Sequence, residues 1–203
     1  MSGSDGTAVQ TRLLRFADRV EALIRLIGEW SAWLALLMVL TTFAIVVMRY
    51  VLDQGSIALQ ESVTYMQASL FMLGIAHALG RDAHVRVDIL YEGWSRRARA
   101  RLNLLGTLLL LMPVCVAIIW FGWFYVAESW RVQESSREAG GLPWVYLLKT
   151  LILIMPLLLL LQGLVIAVRN ALFLLGVEAA LPAPPGERDD DAGRVSSGDS
   201  GLV

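Results

Sequence analysis

Directly after its second apolar run the chain carries Gly80-Arg-Asp-Ala-His-Val-Arg-Val-Asp88. Arg81, His84, Arg86 and Asp88 concentrate both signs of charge and a titratable imidazole in one short segment. At the end of a hydrophobic helix such a cluster serves either a hydrogen-bond network that closes the helix or a contact with a moving partner. His77 and His84 are the only two histidines, and their spacing puts them on one side of a continuous helix. A haem needs ligands on opposite faces of its plane, so bis-histidine haem binding within this chain is not expected. His77 reads as a packed residue near the end of the second span. Cys115 is the single cysteine, which leaves no intramolecular disulfide or C-x-x-C redox pair. No cofactor, no metal and no enzymatic activity are expected.

A second set of charges borders the opposite ends of the apolar runs: Arg49, Glu61, Glu128 and Lys149. Two cations and two anions at one depth can neutralise each other. Arg49 and Glu61 are the expected pair, because a short loop joins them and a poorly hydrated charge is costly without a partner. The alternative is that all four snorkel separately into headgroups. The connection from Glu128 to Pro143 carries Trp130, Arg131, Glu134, Gly140, Gly141 and Pro143, with Trp144 just after it. Its tryptophans suit a water–lipid boundary, and its glycines and proline make a turn. It is expected to be an exposed, structured loop available to a partner protein.

The elements that position these residues are membrane spans. Hydrophobic residues make up 57% of the 203 positions and charged residues 17%, against about 45 to 50% and 25% in soluble domains. Four windows lack Asp, Glu, Lys and Arg: Trp30 to Met48, Ser62 to Gly80, Leu102 to Ala127 and Thr150 to Val168. Each is long enough for a hydrocarbon core of roughly 30 Å, and backbone groups in lipid must pair within their own segment, so these are helices. Thirteen of the 17 cationic residues lie before the first window, between the second and third, or after the fourth. That asymmetry predicts both termini and the middle loop in the cytoplasm, and a multi-pass protein of a bacterial inner membrane. Nothing at the start resembles a cleaved signal peptide.

Residues 1–29 are expected to hold an interfacial amphipathic helix. From Thr11 to Glu29, Leu13, Phe16, Ala17, Val20, Leu23, Ile24 and Ile27 fall at helical spacing, with the arginines largely elsewhere. A second interfacial helix is predicted from about Val87 to Arg101, with Val87, Leu90, Trp94 and Ala98 as its apolar stripe. There Arg96, Arg97, Arg99 and Arg101 can reach membrane phospholipids, or else form a solvated basic loop that only sets topology. Pro113 and Pro156 are expected to kink the third and fourth spans. Residues 30–177 then form a four-span membrane domain, and 178–203 an acidic tail unable to bury enough apolar surface to fold. The fold class expected is an all-α integral membrane protein: four transmembrane helices plus cytoplasmic interfacial amphipathic helices.

Arg49-Tyr50 closing the first span, Glu61 with Tyr65 opening the second, and His84-Val85-Arg86-Val87-Asp88 after it resemble the small, DctQ-like membrane subunit of TRAP transporters. The likeness runs from about Ile27 to Arg169. Trp130, Glu134-Ser135, Gly140-Gly141-Leu142-Pro143, Lys149 and Gln162-Gly163 look like the branch labelled mannitol or chloroaromatic compound transport, which includes 2-oxo acid systems. The resemblance implies a separate large permease subunit (DctM-like) that binds sodium and an organic acid. It also implies a periplasmic solute-binding protein, with this chain as membrane scaffold and no nucleic acid partner. Span centres rich in Leu, Val, Ile, Met and Phe agree with a non-transporting role, since a secondary transporter's site needs broken helices and polar groups at the midplane. The alternatives are a membrane anchor of an unrelated complex, or a small multidrug-type exporter, which would need a carboxylate inside a span.

Overall fold

The computed structural model describes residues 3–81, 95–177 and 180–181. Four helices follow in order: α1 (Gly3–Val51), α2 (Ile57–Gly80), α3 (Arg96–Arg131) and α4 (Val145–Leu174). Each is long and apolar enough to cross a membrane, and no strand occurs among the described residues. Four crossings leave the start of α1 and the end of α4 at one end of the bundle, the terminal end. Loops 52–56 and 132–144 lie at the other, the loop end. His84, Arg86 and Asp88, the apolar residues Val87, Leu90 and Trp94, and nearly all of the 178–203 tail lie outside the described residues.

Helix α4 is the centre of the bundle. It packs against the other three helices, and 44% of its most apolar window is buried, against 6 to 11% in the others. Ile24 of α1, Ala76 of α2 and Leu158 of α4 form one buried cluster. Ala100 of α3 packs with Leu172 and Phe173 of α4 in a second. Large apolar side chains on the outer faces, such as Trp33, Phe43, Phe71 and Phe121, remain exposed, as expected where lipid or another membrane subunit is the neighbour. At the terminal end Arg169 of α4 ties α1 down, donating to Asp18 at 2.8 Å and Glu21 at 2.5 Å. The crossing of α1 and α2 is closer than side chains usually permit: a Cβ on Gly28 would lie 2.5 Å from Cγ of His77. The packed role read for His77 agrees with this.

Two predicted helices are continuous with the spans beside them. The amphipathic N-terminal segment is not a separate element, because α1 runs unbroken over 49 residues, roughly 74 Å at 1.5 Å per residue. No proline separates the amphipathic part from the first span, so nothing stops the helix. Part of its apolar stripe also faces protein rather than a leaflet: Ala17 and Ile24 are buried, while Leu13, Phe16 and Leu23 stay exposed. The second interfacial helix, in its described part, forms the first turns of α3. Ser95 caps that helix, accepting from Ala98 N at 3.3 Å, and the chain then continues into the third span. Arg96 lies over the Phe173 ring at 5.2 Å and Arg99 is half-buried, whereas Arg97 and Arg101 are exposed.

Pro113 leaves its mark one turn earlier. Thr107–Leu111 is π-helical, and Met112 N donates to Thr107 O. A proline has no N–H to return to the preceding turn, and a widened turn is one way a helix absorbs that loss. Helix α4 contains Pro156 as a single element, with the ring buried.

Candidate functional site

At the loop end the third connection folds back over the bundle as a cap. Helix α3 ends in a reversal at Gln133, whose φ is 45°. Gln133 N donates to Trp130 O at 3.2 Å and Glu134 N to Ser129 O at 3.0 Å, the paired bonds of a Schellman terminus. Arg131 stays beside the helix end, its Nε and Nη2 donating to Glu128 at 2.8 and 2.6 Å. The reversal aims Glu134 back at the helices. Its carboxylate accepts from Ser129 Oγ at 2.8 Å and from Lys149 Nζ. Lys149 also sits 4.0 Å from the centre of the Tyr125 ring, so one cation joins the ends of α3 and α4 and the loop between them.

The second half of the loop is held by α2. Glu61 accepts from Ser136 Oγ through one oxygen and from Leu142 N at 2.6 Å through the other. Ser136 N in turn donates to Leu142 O at 3.0 Å. One carboxylate thus staples both sides of the turn that Gly140, at φ 83°, makes possible. Gly141 has no room for a side chain, since a Cβ there would lie 2.4 Å from Ser136 Oγ and 2.8 Å from Glu61 Oε1. Trp130 completes the brace. Its Nε1 donates to Thr150 Oγ1 at 2.8 Å, and its ring meets Tyr146 edge-on at 4.8 Å.

The expected Arg49–Glu61 pair is not made. Glu61 lies more than one turn inside α2 and faces the third connection, where two directed hydrogen bonds satisfy it. Arg49 is exposed and forms no ion pair among the described residues. It borders a polar cavity of about 440 Å³ with Asp53, Gln54, Ser56 and Gln60. Tyr65, one turn below Glu61, has a buried hydroxyl without a hydrogen-bond partner among the described residues. Arg81 is exposed at the far end of α2. The residues read as a partner loop therefore divide. Glu134 and Gly141 are engaged within the chain, while Arg131, Gly140, Pro143 and Trp144 present outward, and half-exposed Trp130 does both. Ser136 escaped the sequence reading, as did the clamp of Arg169 on Asp18 and Glu21. The spacing of Ser129 and Glu134 across a helix end was the available signal for the first half of the cap.

Glu134 lies outside the spans, and its carboxyl titrates below the ordinary 4.5 because of the bonds from Lys149 first and Ser129 second. A lowered carboxylate contributes stability that is present above its unfolded value and lost as pH falls through the folded one. The unfolding temperature of wild type should thus exceed that of Glu134→Gln by a constant margin above pH 4.5, and by a shrinking margin below it. A margin that grows on acidification would contradict the pairing.

The described residues hold no group of three or more His, Cys, Asp or Glu side chains able to share a metal. What the geometry provides is a loop surface braced against three helices at one end of four spans. No curated protein and no solved structure matches the chain. The family model described as "Tripartite ATP-independent periplasmic transporters, DctQ component" matches residues 38–173, which include α2, α3, the cap and most of α4. This chain belongs to the DctQ component family of tripartite ATP-independent periplasmic transporters.

Proposed function

We propose that this chain is the stationary membrane subunit of its transporter, supporting sodium-coupled uptake of an organic acid by a separate large permease and a periplasmic solute-binding protein. It is not itself an enzyme or the carrier. The observation that carries this reading is the cap. A loop stapled to three helices through Glu61, Lys149 and Trp130 offers a soluble partner a surface whose shape is set before contact, as rigid docking requires. The uncharged centres of the four spans support the same reading, because they offer no ion path.

The loop end faces the periplasm and both termini the cytoplasm, by the excess of arginine at the terminal end. Arg131, Pro143 and Trp144 then meet the binding protein. Arg49, Tyr65, Lys149 and the His84, Arg86, Asp88 segment serve subunit contacts or the polar networks that position them. Exposed Arg97 and Arg101, with Arg96 and Arg99 beside them, hold the cytoplasmic end of α3 at anionic phosphates.

Reporter fusions test the orientation. One after Arg101 or Arg169 should behave as cytoplasmic and one at Ser136 as periplasmic, with the chain co-purifying with a multi-span permease encoded beside it. A periplasmic signal after Arg101 would overturn the orientation, and a correctly inserted chain that retains no permease would overturn the subunit role.

A further inference from the structure

At the terminal end, α1, α2 and α4 enclose a cavity of about 210 Å³ whose polar wall is Glu21 and Arg25 of α1, His77 and Arg81 at the end of α2, and Gln162 of α4. Gln162 is 1% exposed, yet its side-chain oxygen has no hydrogen-bond partner among the described residues. A buried amide left short of a partner is costly, and a guest that supplies the missing bond recovers that cost. A half-turn of the carboxamide exchanges its oxygen and its NH2, so Gln162 can meet either a donor or an acceptor in the cavity.

The charges are arranged asymmetrically. Arg25 and Arg81 are exposed and stand at the rim. Arg25 has only a 4.0 Å approach to Glu29 on the open surface, and Arg81 forms no ion pair among the described residues. Two guanidiniums suit the oxygens of a phosphate diester. Glu21 accepts one bond from Arg169, and a carboxylate has capacity for more. Glu21 and Gln162 together therefore offer two oxygens to a cationic donor. Leu23, Leu26 and Trp30 flank Arg25 along α1 and are 49, 52 and 69% exposed, an apolar border suited to acyl chains rather than to a soluble metabolite.

We propose that this cavity binds the headgroup of phosphatidylethanolamine, with Arg25 and Arg81 on its phosphate and its ammonium donating to Gln162 and Glu21. The site is separate from the basic turn of α3 and lies where α1, α2 and α4 meet, so an occupied headgroup would lock those three helices at one depth in the leaflet.

Native mass spectrometry of the full chain in detergent tests this, with dioleoyl phosphatidylethanolamine, phosphatidylcholine and phosphatidylglycerol added in turn. Phosphatidylethanolamine should bind at least about tenfold more tightly than phosphatidylcholine, whose quaternary nitrogen has no N–H to donate. Gln162→Leu should reduce that preference, and Gln162→Leu combined with Glu21→Gln should abolish it. The double variant Arg25→Gln, Arg81→Gln changes exposed residues only and should weaken both lipids by about tenfold, with an unfolding temperature close to wild type to show that the fold persists. Equal binding of phosphatidylethanolamine and phosphatidylcholine by wild type would overturn the proposal, as would a double variant that binds as wild type does. Displacement by inorganic phosphate alone, or equal retention of phosphatidylglycerol, would make this a simple anion site and overturn the zwitterion assignment.

Discussion

Replacing Glu61 with alanine is expected to release the second half of the 132–144 loop, from Ser136 to Leu142, from α2. Among the described residues the carboxylate is the only partner of Leu142 N, and it is an acceptor for Ser136 Oγ; both contacts join residues far apart in sequence, so nothing local substitutes for them. Charge-assisted bonds of this kind are stronger than neutral ones, and an amide left without an acceptor exchanges once the turn opens. Hydrogen exchange at the Leu142 amide should accelerate by at least about tenfold, the ratio that corresponds to losing one such bond. Glu61→Gln should show an intermediate effect, since it keeps one acceptor oxygen but not the charge. Arg49→Ala should leave Leu142 protected. Equal deprotection by Arg49→Ala and Glu61→Ala would restore the pair expected from the short loop and contradict the cap.

The second large effect is expected at the α1–α2 crossing. A methyl group on Gly28 would meet Cγ and Cβ of His77 at 2.5 and 2.6 Å, too close for either atom to remain in place. His77 Cβ is fixed to the backbone, so the helices themselves must separate and loosen the neighbouring Ile24, Ala76 and Leu158 cluster. Overpacking of this kind costs about 1–3 kcal/mol, and Gly28→Ala should lower the unfolding midpoint accordingly. His77→Ala in the same chain should recover only part of the loss, because it removes the ring and keeps Cβ. Strict additivity of the two changes would mean that Gly28 and His77 are not in contact.

Much of this architecture can be read from the sequence, for identifiable reasons. Four uncharged windows are a one-dimensional signal, and lipid admits only helices across them. The polar residues that matter at the loop end, Glu61, Trp130, Glu134 and Lys149, stand out because charge and tryptophan are conspicuous beside apolar runs. Their partners do not. Ser136 reaches Glu61 across 75 positions and Arg169 reaches Glu21 across 148, and such pairings depend on how a loop folds back. The expected Arg49–Glu61 pair rested on proximity along the chain, which is outweighed once Glu61 turns toward a loop offering two directed donors. The N-terminal amphipathic pattern is real, but the same 3.6-residue stripe serves a helix lying on a leaflet and one packed on α4. Only the unbroken α1, with Ala17 and Ile24 buried, distinguishes them.

As a scaffold, this chain is required for transport while moving nothing itself, and sodium-driven uptake in proteoliposomes separates the two roles. Vesicles should carry the chain alone, the separate permease alone, or both, with the binding protein and its labelled solute outside and an inward sodium gradient. Uptake is expected only when both membrane proteins are present, and none from this chain alone, whose spans lack a charged path. Sodium-dependent uptake by the lone chain would make it a carrier, and full uptake by the permease without it would remove the need for a scaffold; either result overturns the proposed role.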